Sequence, residues 1–263
     1  MYRDLVDKNI ITFTTDSNYL PFAKILINSI LQNTPSVEIL GRFVNCSDEQ
    51  LDTVNGIHIY RDNKELSTKR NLLTKQHLYA TDDFVYCNKT DVQPVRLYYS
   101  ELISYCSNIK FDTINTLLGI GVKSVIYLDV DSIVRGDLNK LFLELTKNDF
   151  CFYKDIPYSE QFKGSKRLEY NNFLYHGGLI GVNNNKQTKK IIKNITNEVL
   201  EDIFDWDIDE RILPTIIQND FNIININKKY KDEDLDIKSI VWSGSGKTKF
   251  TNNLYINECK KYK

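Results

Sequence analysis

Two aspartates, Asp129 and Asp131, follow directly after the apolar run VKSVIYL. In an extended backbone alternate side chains point the same way, so both carboxylates face one spot while Val130 points away from it. Paired carboxylates suit Mg²⁺ or Mn²⁺, ions that keep coordination positions open for substrate phosphates. The pattern has two interpretations, a metal site or a pair of turn and cap residues on a solvated loop.

A glycine-rich stretch near the end of the chain reads VWSGSGKTKF, from Val241 to Phe250. It is not a Walker A loop, because that motif needs a glycine where Val241 stands. Few residues also remain after Phe250 for the helix and strands of a nucleotide-binding sheet. Gly244 with a cation at Lys247 instead predicts a flexible loop that binds some other phosphate.

Strands and helices alternate along the chain and would carry these residues. Apolar, β-branched runs predict strands over residues 9–14, 39–44, 57–60, 122–128, 150–153 and 179–182. Helical spacing of apolar residues predicts helices over residues 19–32, 96–106, 113–118, 138–145 and 187–204. The strand over 122–128 is apolar on both faces, which is typical of a central strand in a parallel sheet. The pattern predicts an α/β fold with the aspartate pair at the sheet edge that binds ligands.

Composition and charge exclude several classes of partner. The 263 residues hold 34 Lys and Arg against 35 Asp and Glu, so the chain lacks the basic excess of a nucleic-acid binder. No apolar run approaches the roughly 18 residues of a membrane span, and the first residues lack the apolar core of a signal peptide. The five cysteines are odd in number and contain no C-x-x-C, which indicates reduced thiols and a cytoplasmic location.

Five segments resemble motifs of glycosyltransferase family 8, the retaining enzymes that include glycogenin and bacterial lipopolysaccharide galactosyltransferases. The five occur along this chain in the same order as in the family. VIYLDVDSIVRGDLNKLF is similar to the D-x-D segment of the family, and ITFTTDSNYLPFAKILINSI to its first strand and helix. LYHGGLIGVNN resembles its N-[AS]-G strand, and DIDERILPTII its D-Q-x-x-L-N helix. VWSGSGKTK is similar to its H-x-x-G-x-x-K-P-W phosphate loop.

The resemblance implies a GT-A fold, a Rossmann-like α/β architecture with a central, mostly parallel sheet flanked by helices. It also implies a UDP-sugar donor and a divalent cation, Mn²⁺ or Mg²⁺, held by Asp129 and Asp131. We expect one domain over residues 1–263, in which 1–131 bind the nucleotide and 132–263 bind the donor sugar, the acceptor and the diphosphate.

Residues at matching positions would bind the nucleotide. Thr14 would offer backbone contacts to the uracil, Asp16 would accept a hydrogen bond from it, and Tyr19 would stack on it. Gly244 and Lys247 would hold the diphosphate. The alternative for Tyr19 is an ordinary core aromatic in a first helical turn.

Another group would surround the donor sugar and the reaction centre. The resemblance places these residues near the sugar: Arg96, Asp155, His176, Gly177 and Asp209. Of these, Arg96 and Asp209 are also expected at the reaction centre, together with Glu210. A solvated arginine, loop or cap carboxylates and a satisfied structural histidine are the respective alternatives.

The sequence departs from the family pattern at three places. The third metal ligand of the family is a histidine, and Val241 or Trp242 stands there. His176 replaces the sugar-contacting asparagine of the family. Glu210 replaces a glutamine and Pro214 a later asparagine, and a carboxylate at 210 could act as a nucleophile where glutamine could not.

The leading hypothesis is a retaining enzyme that transfers a hexose, glucose or galactose, from UDP to a hydroxyl group. The acceptor would be a glycan, a protein or a small molecule, with one of the 16 tyrosines of the chain as a further possibility and a homodimer as a possible assembly. The missing histidine motivates an alternative, a nucleotide-sugar-binding pseudoenzyme. A sugar-nucleotidyltransferase ranks last, because it needs a glycine-rich basic loop where this chain has TTDSNY.

Overall fold

The computed structural model describes residues 2–68, 78–80, 85–87, 100–154, 175–204, 208–209, 212–213, 221–226, 231–232, 235, 238–244 and 248–263. The strands in these ranges are β1 (Asn9–Asp16), β2 (Glu38–Val44), β3 (His58–Asp62), β4 (Leu78–Ala80), β5 (Val85–Cys87), β6 (Ser124–Leu128), β7 (Ser132–Val134), β8 (Phe150–Lys154), β9 (Tyr175–Asn183), β10 (Ile223–Ile226), β11 (Lys231–Asp232) and β12 (Val241–Ser243). The helices are α1 (Leu20–Asn33), α2 (Asp48–Leu51), α3 (Glu101–Asn108), α4 (Lys110–Ile120), α5 (Asn139–Leu145), α6 (Lys186–Glu201), α7 (Thr248–Thr251) and α8 (Asn253–Cys259), with 3₁₀ turns at Arg3–Leu5 and Lys260–Tyr262.

A seven-stranded sheet with the order β10-β8-β9-β6-β1-β2-β3 forms the centre of the described structure. β9 runs antiparallel to both of its neighbours, and the remaining pairs in this sheet are parallel. A smaller sheet joins β11, β12 and β7, while β4 and β5 form a separate pair. The mostly parallel sheet confirms the predicted α/β architecture.

Side chains on the two faces of the central sheet enter two different core clusters. β1 sends Ile11 and Phe13 to one cluster and Ile10 to the other, because successive strand residues point to opposite faces. β6 is buried along its whole length and lies between β1 and β9. The prediction that the strand before Asp129 is central is therefore confirmed.

The ends of the helices follow ordinary capping chemistry. Asn185 caps α6 by accepting hydrogen bonds from the N–H groups of Gln187 and Thr188. α4 ends at Gly121, whose φ of 94° lies in the left-handed region that glycine tolerates best. No helix within the described ranges is long and apolar enough to cross a membrane.

Candidate functional site

The carboxyl ends of the parallel strands β1 and β6 bring two sets of predicted residues to one edge of the sheet. Thr14 and Asp16 are among the last three residues of β1, and Asp129 and Asp131 follow β6. Ser132 donates its N–H to the carbonyl of Asp129 at 2.9 Å, which closes the turn between β6 and β7. Asp129 is partly exposed, whereas the side chain of Asp131 is largely buried.

Lys110, in the first turn of α4, joins the end of β6 to the carboxylate expected near the donor sugar. Its Nζ lies 2.7 Å from Oδ2 of Asp209, 3.1 Å from the carbonyl oxygen of Gly177 and 3.9 Å from Oδ1 of Asp129. Only 2% of Lys110 and 4% of Asp209 are exposed, so this ion pair is shielded from water. Burial alone lowers the pKa of Lys110, but Asp209 and Asp129 outweigh burial and raise it, so the ammonium stays charged.

Gly177 permits the close approach of these groups. A Cβ atom added to Gly177 would lie 2.5 Å from Oδ2 of Asp209 and 2.8 Å from Nζ of Lys110. Any larger residue at 177 would therefore displace the ion pair. The structure thus brings together three residues from distant parts of the chain, and two of them, Gly177 and Asp209, are predicted site residues.

A second lysine, Lys249, pairs with the other aspartate of the D-x-D segment. Its Nζ lies 2.6 Å from Oδ2 of Asp131, and the residue is 9% exposed. The same Nζ lies 4.6 Å from the centre of the Tyr19 ring and 5.9 Å from the ring centres of Phe22 and Phe250. Burial lowers the pKa of Lys249, but the carboxylate of Asp131 more than offsets burial, and the net shift is upward.

The backbone of Asp131 also anchors the glycine-rich segment. Its carbonyl oxygen accepts hydrogen bonds from the N–H of Gly244 at 3.1 Å and from the hydroxyl of Tyr255. A Cβ atom at Gly244 would lie 2.8 Å from Cβ of Lys249 and 2.9 Å from the Tyr255 ring. The predicted phosphate-loop glycine is thus placed directly beside the aspartate pair.

Asp16 has a structural role in the turn between β1 and α1. Its Oδ1 accepts hydrogen bonds from the N–H groups of Asn18 and Tyr19, each at 2.9 Å. This is the arrangement of a turn or cap carboxylate. The second oxygen, Oδ2, accepts a longer hydrogen bond from Nδ2 of Asn18 at 3.5 Å.

Several predicted site residues lie outside the described residues. These are Arg96, Asp155, Glu210 and Lys247. For His176 the structure gives the backbone, which pairs with Tyr153 across β8 and β9 next to an irregularity in the pairing. The functions proposed for these four residues and for His176 remain predictions.

Lys110 and Lys249 are the site residues that sequence reasoning missed. The signal for Lys110 is its spacing, because it is four residues before Ile114 and seven before Leu117, on the buried stripe of α4. The signal for Lys249 lies in the motif itself, because the spacing G-x-x-K fits Gly246 and Lys249 as well as Gly244 and Lys247.

Comparison with known proteins gives the family. Residues 10–202, more than half of the chain, match the profile of Glycosyl transferase family 8. The chain belongs to this family. The recognised motifs in the sequence analysis therefore identified the family correctly.

Relatives of this family 8 chain include an enzyme named lipopolysaccharide 1,2-glucosyltransferase from Escherichia coli, 23% identical over 223 residues. That match covers 82% of this chain but only 57% of the length of the relative. Among solved structures, galactosyltransferase LgtC in complex with donor and acceptor sugar analogs has a TM-score of 0.58 at 16% identity, covering 96% of this chain and 93% of LgtC. Glycosyltransferase GlyE from Streptococcus pneumoniae TIGR4 has a TM-score of 0.56 at 13% identity, covering 97% of this chain and 60% of GlyE. These similarities confirm the predicted GT-A fold.

Family 8 enzymes typically use a divalent metal ion. The described side chains that would coordinate such an ion do not fit it well. Oδ2 of Asp131 already carries the ammonium of Lys249 at 2.6 Å. The sequence resemblance matches Val241 or Trp242 to the histidine ligand of the family. Val241 is fully buried in an apolar cluster, and the Trp242 ring packs on Arg135, whose Cζ lies 3.9 Å from the ring centre. Within the described residues, no three His, Cys, Asp or Glu side chains form a group that could hold a metal ion.

Proposed function

We propose that this family 8 glycosyltransferase transfers a hexose, glucose or galactose, from a UDP-sugar to a hydroxyl group with retention of configuration. The observation that carries the proposal is the buried cluster of Lys110, Asp209 and Gly177 beside Asp129 at the ligand-binding edge of the sheet. The names of two relatives support a sugar substrate, since one is a glucosyltransferase and the other was solved with donor and acceptor sugar analogs. A cytoplasmic location, expected from the cysteine pattern, is part of this proposal.

Asp209 would orient the donor sugar. A carboxylate held by one ammonium still has lone pairs that accept hydrogen bonds from sugar hydroxyls. Lys110 fixes the position of that carboxylate, and the absence of a side chain at Gly177 leaves space for it. Fixed groups of this kind favour the transition state because they need no reorganisation during the reaction.

The difficult step is departure of UDP from the anomeric carbon, which leaves negative charge on the diphosphate. Arg96 and Lys247 are proposed to neutralise part of this charge, and Gly244 lets the backbone approach it. In a front-face mechanism the departing phosphate oxygen takes the proton of the incoming hydroxyl, so no separate base is required. Glu210, next to Asp209, is the proposed nucleophile if the reaction instead passes through a covalent intermediate.

The nucleotide would lie along the end of β1. The ring of Tyr19 is partly exposed and is the proposed stacking surface for uracil, with Asp16 and the backbone of Thr14 beside it. The family resemblance implies Mn²⁺ or Mg²⁺ at Asp129 and Asp131. The mechanism proposed here assigns it no step, because Asp131 is already paired with Lys249.

A nucleotide-sugar-binding pseudoenzyme is the second candidate function. The apolar residues Val241 and Trp242 at the position of the metal-binding histidine favour it. Such a protein would bind UDP-sugars without transferring or hydrolysing them.

A panel of UDP-sugars tests the proposal. UDP-glucose, UDP-galactose and, as a control, GDP-mannose would each be incubated with the protein, once with Mn²⁺ and once with EDTA. UDP release and intact protein mass would be measured in the same samples. Release from a UDP-hexose but no release of GDP supports a hexosyltransferase, and an added hexose mass identifies self-transfer. Binding without release under every condition supports the pseudoenzyme.

A further inference from the structure

The ammonium of Lys249 occupies a position at the aspartate pair that a cation is expected to fill. It contacts Oδ2 of Asp131 at 2.6 Å and lies within 4.6 to 5.9 Å of three aromatic ring centres. These rings, Tyr19, Phe22 and Phe250, form a wall that keeps the head of the lysine in place and attracts its charge. Lys249 is therefore a fixed cation on the side of Asp131 that faces the end of β1.

Charge in the described cluster is nearly balanced by lysines. Three carboxylates, those of Asp129, Asp131 and Asp209, lie near two ammonium groups, those of Lys110 and Lys249. A divalent ion bound to Asp131 would share that carboxylate with an ammonium group, and like charges this close repel each other. The two lysines together supply the same formal charge as one divalent ion.

The replacement of the family's histidine is a second, independent argument against a bound divalent ion. Val241 and Trp242 belong to β12, which pairs with β7 directly after Asp131. Both side chains are buried, Val241 among apolar residues and Trp242 also against the guanidinium of Arg135, and neither offers a metal ligand. At the described positions, one expected metal ligand is therefore replaced by an apolar side chain, and the other expected ligand, Asp131, pairs with a cation.

Lys249 is also close to the predicted phosphate loop. It lies in α7, which begins directly after residues 244–247, and Gly244 is hydrogen-bonded to the backbone of Asp131. An ammonium group has three N–H donors, so the contacts with Asp131 and the hydroxyl of Tyr19 still leave one donor that can reach a phosphate oxygen. Hydrogen bonds between charged groups of this kind are among the strongest in proteins.

We propose that Lys249, in place of a resident divalent ion, neutralises the donor diphosphate, so that this chain binds UDP without metal. The inference rests on the proposed function, because it concerns the nucleotide of the same donor. It assigns Lys249 to binding and charge neutralisation, with no proton transfer.

Calorimetric titration of UDP into the full chain tests this inference, once in EDTA and once in Mn²⁺. The wild-type protein should bind UDP in EDTA with a Kd within about threefold of the value in Mn²⁺, because no contact with UDP is lost when the metal is removed. If a metal contact were lost, the Kd would rise by about tenfold or more. Lys249→Met should weaken binding in EDTA by at least about tenfold, whereas Lys249→Arg should retain most of it. Lys140→Met, at an exposed lysine of α5, is the matched control and should bind like the wild type.

Three other results of these titrations would contradict the inference or the proposed function. Wild-type binding that requires Mn²⁺ would overturn the inference and leave the proposed donor intact. Unchanged binding by Lys249→Met in EDTA would overturn it as well. Absence of UDP binding in both buffers would contradict the proposed function itself. The comparison of the two buffers uses only wild-type protein, so it remains decisive if Lys249→Met fails to fold.

Discussion

Lys110 and Asp209, 99 positions apart in the chain, form an ion pair of 2.7 Å that is almost completely buried. The pair joins the start of α4 to the segment that follows α6, and it lies 3.9 Å from the carboxylate of Asp129 at the end of β6. This ion pair therefore holds Asp209, the residue proposed to bind the donor sugar, close to Asp129 of the D-x-D segment.

Removal of one partner of this pair should destabilise the fold. Lys110→Met removes the one cation that the described residues pair with buried Asp209, and such changes cost about 3–5 kcal/mol. Denaturant unfolding measures the loss, with Lys140→Met as a control that should stay within about 0.5 kcal/mol of wild type.

The double variant Lys110→Met/Asp209→Leu separates stability from function. Replacement of both partners by apolar groups should recover part of the lost stability, whereas UDP release should be lost because no carboxylate remains at 209. A double variant that is as active as wild type would show that the pair is only structural.

Gly177→Ala should impair activity through a steric effect. The added methyl group would lie 2.5 Å from Oδ2 of Asp209, so the carboxylate must move. Gly119→Ala is the matched control, because Gly119 is exposed in α4 and an added Cβ meets nothing within 4 Å. We expect this control to be slightly stabilising, by up to about 1 kcal/mol, with unchanged activity. Equal UDP-release rates in the two variants would contradict the proposed crowding at the ion pair.

Two substitutions of Asp16 distinguish its turn role from a role in nucleotide binding. Asp16→Asn keeps an oxygen that can accept from Asn18 and Tyr19, so stability should be close to wild type, while Asp16→Ala should lose about 0.5–2 kcal/mol. Both variants should bind UDP more weakly in calorimetry if the carboxylate contacts the base. Wild-type affinity in Asp16→Asn would show that Asp16 serves only the turn.

The thiol of Cys46 should react slowly at neutral pH. Burial, together with the nearby carboxylate of Asp16, raises the pKa of Cys46 to about 11. The thiolate is the reactive form, so alkylation should rise about tenfold per pH unit between pH 7.5 and 9.5. Peptide mapping after iodoacetamide treatment measures this rate, and free glutathione provides the reference. A plateau below pH 10 at Cys46 would contradict the predicted pKa.

Local sequence patterns predicted most of the central sheet. The apolar runs of β1, β2 and β6 are long, and their burial on both faces leaves a clear signal. β9 was predicted too short, because Gly177 and Gly178 suggest a turn, although they lie within a strand that begins at Tyr175. β7 and β12 were not predicted, since three-residue strands carry little local signal and pair across more than 100 positions.

The candidate site was only partly predictable for a similar reason. Motifs predicted Asp129, Asp131, Asp209 and Gly177 as site residues because each stands at a recognisable spacing, and their function stays a prediction. The contacts of Lys110 and Lys249 are long-range, and a lysine in a helix is usually a solvated residue. Only the packing of α4 and α7 against the strand ends shows that both ammonium groups are buried against carboxylates.

In the proposed mechanism Asp209, held by Lys110, binds the sugar of a UDP-hexose in the reacting complex. The most direct test is the rate of UDP release from UDP-glucose and UDP-galactose, measured side by side for wild type and Asp209→Asn. We predict release by the wild-type protein from at least one donor and a rate at least about 100-fold lower in Asp209→Asn, since a charged contact in the transition state is lost. Equal rates in the two proteins would contradict the role of Asp209, and no release by wild type from either donor would contradict the proposed transfer.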